Sequence, residues 1–156
     1  VELKGSSDST RSQQRREGFR EAVNYADVRV LFEVDMQWSE EAAREEMATV
    51  LQKYQEIDAV FAHNDAGAFG AYQAAKEAGR NEGVLFVGIN ALPDRGLKWV
   101  KQGILAATFE YPTGGREALE AAMSALAGDE PPARRITLPS RFFTAANVDQ
   151  GGAPLP

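Results

Sequence analysis

Apolar residues along this chain alternate between short unbroken runs and stripes that recur every three or four positions. The run Ala59-Val60-Phe61 is apolar without alternation, as for a strand covered on both faces of a parallel sheet. A polar turn, His63-Asn64-Asp65, follows it, and then an Ala-rich helix that stops at Gly79. Asp65 is placed to cap that helix, and Ala66, Gly67, Gly70 and Ala71 are small enough to let it lie close to the sheet. The same rhythm recurs on either side. Val1–Lys4, Val28–Val34, Val84–Ile89 and Ile104–Phe109 read as further strands. Helices are predicted from about Ser9 to Tyr25, from Ser39 to Tyr54 and from Asp94 to Lys101, with Phe19, Ala22, Val23 and Ala26 as one buried stripe and Ala43, Met47, Val50 and Leu51 as another. Strand followed by helix, repeated, calls for right-handed crossovers and an α/β domain on a parallel sheet.

The character changes after Pro112. Thr113–Ala127 has an amphipathic stripe (Ala118, Leu119, Ala122, Met123, Leu126) and ends at Gly128. Asp129–Ala133, with two prolines, reads as a surface turn. Ile136–Leu138 and Phe142–Thr144 read as short strands, and Gln150–Pro156 as a loose tail.

Composition narrows the function classes. A chain of 156 residues is one domain by length, and the net charge of −6 argues against nucleic acid as a partner. No apolar run is long enough to cross a bilayer. With no cysteine and one histidine, disulfide and thiolate chemistry are excluded and a zinc site is disfavoured. No nucleophile elbow, phosphate loop or metal-ligand spacing appears, so neither turnover nor a cofactor is expected. The opening Val-Glu-Leu-Lys-Gly reads as a strand already under way, which predicts a longer parent protein.

Polar groups fall at the ends of the predicted strands or in the turns after them. Asn64, Asn90 and Glu110 sit there, Arg15 opens the first helix, and Trp38 lies in the loop after the second strand. A parallel sheet gathers such turns at one edge, where ligands of open α/β sheets bind. Amides and a guanidinium offer directed hydrogen bonds to hydroxyls, and an indole face stacks on a sugar ring, so the set suits a small polar molecule. Each residue also has a plainer role. Asn64 and Asn90 could bond only turn backbone, Trp38 could staple the helix behind it, and Arg15 could be solvated surface. His63 is expected as a turn residue, not a catalyst.

The segments Arg15-Arg16-Glu17-Gly18-Phe19, Ala59–Asp65, Phe86-Val87-Gly88-Ile89-Asn90 and Ala106-Ala107-Thr108-Phe109 resemble, in order and spacing, the carboxy-terminal half of ribose-type periplasmic sugar-binding proteins. The resemblance covers about residues 1 to 149. It implies a three-layer sandwich with a central parallel sheet, one lobe of a two-lobed fold that closes on a sugar. It assigns Arg15 to sugar hydroxyls, Trp38 to the ring face and Asn64 to the site, with Asp65 as helix cap. Where the family has aspartate this chain has Asn90, and where it commonly has glutamine this chain has Tyr111 beside Glu110, so the exact sugar stays open. Residues 1–111 would form the ligand lobe. Residues 112–149 would cross the hinge and complete a missing amino-terminal lobe, leaving an apolar helix face that a second copy of the chain could cover. Expected partners are a sugar or polyol and an importer permease or membrane sensor, in the periplasm or outside the cell. A sugar-responsive repressor core and a histidine-kinase sensor domain share the fold and remain alternatives.

Overall fold

The computed structural model describes residues 1–128 and 135–155. Strand and helix alternate through β1 (Glu2–Lys4), α1 (Thr10–Asn24), β2 (Glu33–Asp35), α2 (Glu40–Lys53), β3 (Ala59–Ala62), α3 (Asp65–Glu77), β4 (Leu85–Asn90), α4 (Gly96–Lys101) and β5 (Ala107–Glu110). After α5 (Gly115–Ala127) the chain adds β6 (Arg141–Thr144), a 3-10 turn at Val148–Gln150 and β7 (Ala153–Pro154). All seven strands lie in one sheet in the order β2-β1-β3-β4-β5-β6-β7. The first five are parallel, and β6 and β7 continue it antiparallel.

Crossover handedness decides which face each helix covers. The step from β1 to β2 runs one way along the sheet, while β2 to β3, β3 to β4 and β4 to β5 run the other way. Right-handed connections therefore put α1 alone on one face and α2, α3 and α4 on the other. The pleat reports the same asymmetry. Val60, Ala62, Phe86 and Thr108 are sealed on the three-helix side, whereas Phe61, Val87, Ile89 and Phe109, on the α1 side, keep partial exposure. Phe19 of α1 stacks on Phe61 at 4.7 Å between ring centroids. Beyond it an apolar groove of about 1170 Å³ opens between α1 and the sheet, lined by Val23, Leu31, Ile57, Val87 and Ile89 among others.

Several expectations need correction. The second strand is far shorter than Val28–Val34: the register sets Glu33 opposite Glu2, so residues 28–32 run past the start of β1 and have no strand to pair with. Ile136–Leu138 forms no strand. Residues 150–155 are not a loose tail, because Gly151 and Gly152 (φ 84° and 76°) turn the chain back so that Ala153–Pro154 pairs with β6. The strands after α5 thus lengthen this sheet. Gly70 also permits close approach of α3 to α2, since a Cβ there would sit 2.1 Å from the Glu40 carbonyl oxygen, while the start of α3 lies close on β4, where a Cβ on Gly88 would fall 2.8 Å from Asp65 Cα. The predicted turn at Asp129–Ala133, and Pro156, lie outside the described residues.

The amphipathic helix α5 buries none of its residues. Leu119 and Met123 are each 62% exposed and Leu126 is 89% exposed.

Candidate functional site

Among the described residues, four that are not glycine adopt positive φ: Gln37 and Trp38 after β2, and Asn90 and Ala91 after β4. Such conformations cost about 1–3 kcal/mol each and persist where surrounding structure enforces them, often at ligand sites. Both pairs lie at the carboxyl edge of the parallel strands, the edge the alternation singled out.

Arg15 reaches this edge from α1. Its Nη1 donates to the His63 carbonyl and its Nη2 approaches Asn90 Oδ1 at 3.5 Å. The guanidinium carbon lies 5.4 Å from the Trp38 ring centre and 4.9 Å from that of Tyr111, a cation held between two aromatic faces. Burial pushes the Arg15 pKa below its ordinary value, and no carboxylate stands within ion-pair distance of it among the described residues. The guanidinium keeps N–H groups for ligand oxygens, and the exposed Tyr111 ring and half-buried Trp38 present flat surfaces beside it. Trp38 fits there because residue 5 is glycine: a Cβ at that position would fall 2.2 Å from the indole.

Asn64 is engaged by the protein itself. It is the N-cap of α3, its Oδ1 accepting from Gly67 N at 2.7 Å, while its Nδ2 donates to the Trp38 carbonyl at 3.0 Å. It is 8% exposed and holds the Trp38 loop in place. Asp65 is therefore not the cap, as expected, but the first residue of the helix. Its buried carboxylate accepts from Ala91 N at 2.8 Å and from Thr108 Oγ1 at 2.5 Å, tying α3 to the end of β4 and to the body of β5. Burial raises its pKa above the usual carboxylate range, against the hydrogen bonds from Thr108 and Ala91 and the charge of Arg15. Glycines at 88 and 96 make room for that carboxylate, which a Cβ at either would meet at 2.4 Å or less. Glu110 ends β5 opposite Asn90, its carbonyl accepting from Ser140 Oγ at 2.7 Å.

The structure thus gathers Arg15, Trp38, Asn90 and Tyr111, puts Asn64 beneath them, and leaves Glu110 at the rim. Sequence reasoning missed Asp65 as a tie and His63 as a fully buried residue. Gly88 and Thr108 make space for and bond to that carboxylate, but they reach it only through the pairing of β4 with β5, which no local signal reports. Nothing in the sequence separates His63 from an ordinary turn histidine, because its burial comes from β1 and α1.

A family model described as periplasmic binding protein domain matches residues 1–130. The ribose import binding protein RbsB of Salmonella typhimurium is 34% identical over 132 residues, which is 83% of this chain and 44% of that protein. The xylitol-binding protein of Mycolicibacterium smegmatis is 40% identical over 82 residues, 52% of this chain and 23% of its own length. Among solved structures, the fructose binding periplasmic domain of the hybrid two component system BT1754 is 40% identical with a TM-score of 0.89, covering 97% of this chain and 51% of that one. The chain spans about half the length of the ribose-binding relative and of the fructose-binding neighbour.

Proposed function

The chain belongs to the periplasmic binding protein domain family, and on that premise we propose that it is the ligand-binding lobe of a sugar or polyol receptor. The observation that carries this reading is the Arg15 guanidinium held between Trp38 and Tyr111 at the carboxyl edge of the sheet. A sugar offers what such a site lacks: hydroxyls to accept from the half-buried guanidinium, and an apolar ring face for the aromatics. Asn90 adds a neutral amide. Binding without turnover is the mechanism, the ligand favouring a closed arrangement of this lobe against a second one.

Residues 1–111 supply the ligand contacts in this reading. The unburied stripe of α5 is where the second lobe, or another copy of the chain, would rest. Delivery to an importer permease, in the periplasm or outside the cell, is the leading role. Sensing is the second reading, favoured by the likeness to a domain of a two-component system.

The test is calorimetric titration of the protein with D-fructose, D-ribose, L-arabinose and myo-inositol. Selective binding of one, abolished in Arg15→Ala and Trp38→Ala, is the expected result. Equal affinity of wild type and both variants for every sugar that binds would refute the site.

A further inference from the structure

His63 is the one histidine of the chain, and it is wholly buried. It follows β3, and its ring lies on the α1 side of the sheet with Glu2. Both ring nitrogens are engaged. The Gly5 N–H donates to Nδ1 at 3.2 Å, and Ser12 Oγ stands 3.1 Å from the same nitrogen. Nε2 lies 3.2 Å from Glu2 Oε1, a carboxylate that is itself fully buried and ion-paired with Arg20 at 3.0 Å. A backbone amide can only donate, so Nδ1 carries a lone pair and the ring proton sits on Nε2, where it donates to Glu2. That tautomer matches the Gly5 donor on one side of the ring and the Glu2 acceptor on the other.

Both the ring and the carbonyl of His63 bind α1. Ser12, which meets the ring, is the only residue of α1 that is buried. Arg15, three residues on and so on the same helical face, donates to the His63 carbonyl. We propose that His63 is a positioning residue of the ligand site. By holding Ser12 with its ring and Arg15 with its carbonyl, it sets the rotation of α1 and hence the place of the guanidinium between Trp38 and Tyr111. The consequence for affinity rests on the ligand role of Arg15 proposed above. The tautomer and the helix setting do not.

Heteronuclear NMR of the nitrogen-labelled chain at neutral pH tests the geometry without ligand, and a lone histidine makes its assignment unambiguous. The expected spectrum shows one ring form, protonated at Nε2. A ring protonated at Nδ1, or a mixture of tautomers, overturns the network. In Ser12→Ala, which keeps the Gly5 bond, the Arg15 Nε–H resonance is expected to move, and an unmoved resonance overturns the positioning role. The third readout is affinity for D-fructose. Ser12→Ala should weaken it about tenfold in wild type but leave it unchanged in Arg15→Lys. Equal losses in both backgrounds would mean general destabilisation and refute the proposal. Should D-fructose not bind the wild type, the sugar assignment is what suffers, and the two spectroscopic readouts still decide the role of His63.

Discussion

The pair Asp65 and Gly96 allows an interaction energy to be worked out before it is measured. A Cβ added at Gly96 would lie 2.1 Å from Asp65 Oδ2 and 2.6 Å from its Cγ, and each near neighbour belongs to that side chain. A Cβ at Gly88 would also meet Asp65, but its neighbours include the backbone, with Cα at 2.8 Å and N at 3.2 Å. Gly96→Ala alone forces the carboxylate off its two donors or overpacks the site, at a cost of about 1–3 kcal/mol. Asp65→Ala leaves the Ala91 N–H and Thr108 O–H unpaired. Each costs about 1–3 kcal/mol, a large share of the roughly 5–15 kcal/mol that stabilises a domain. Combined, the new methyl enters the space the carboxylate has left, so the Gly96→Ala penalty disappears and the two changes couple by about 1–3 kcal/mol. With Gly88→Ala the overlap with backbone persists and most of its penalty stays. Urea unfolding of the four proteins in each cycle, followed by circular dichroism at constant slope, gives both coupling energies. Additivity at Gly96 within about 0.5 kcal/mol, or equal rescue at both glycines, would refute this account of the site.

Because the native pKa of Asp65 is raised, its neutral form is favoured by folding. The stability this contributes is present below the unfolded pKa and is lost as pH rises through the native one. Asp65→Asn, which mimics the neutral acid, should flatten that decline in a series of melts against pH, and an unchanged slope would count against it. Arg15→Lys should lose about tenfold or more in sugar affinity, since an ammonium cannot lie flat between Trp38 and Tyr111; titration showing wild-type affinity would contradict the sandwich. Leu119→Ser with Met123→Ser should leave the unfolding free energy of the isolated chain within about 0.5 kcal/mol of the wild-type value, because neither side chain is buried, while reducing any self-association seen in sedimentation. Glu77→Gln removes the Arg44 ion pair between α3 and α2 at 2.8 Å, and because this contact is exposed and screened by solvent the same melts should hardly change; a clear drop in melting temperature would contradict that reading.

The parallel core was legible because local pattern and tertiary role coincide there. Ala59–Phe61 and Val84–Ile89 are apolar on both sides because helices or groove face both sides. The edges were not legible. Val28–Leu31 has strand-like chemistry, but pairing depends on how far β1 extends, which no local signal reports. The Gly151-Gly152 pair looked like slack and is instead a tight reversal, because its meaning depends on β6 lying alongside. In the site, Arg15 and Trp38 could be named from residue type and position. The division of labour between Asn64 and Asp65 could not, since both are acceptable caps and only the approach of Ala91 and Thr108 assigns one of them elsewhere.

The placement of α5 has a mechanical consequence. With none of its residues buried, the helix is joined to the sheet through the chain leaving β5 and the chain entering β6. Those two passages run side by side, clasped by Ser140 Oγ on the Glu110 carbonyl. Whatever mass α5 carries therefore acts as a lever whose pivot is the end of β5. Tyr111, the next residue, already lies on Arg15. On the reading proposed above, a torque on α5 would be felt first at the aromatic face of the site, and a sugar held there would resist rotation of the arm.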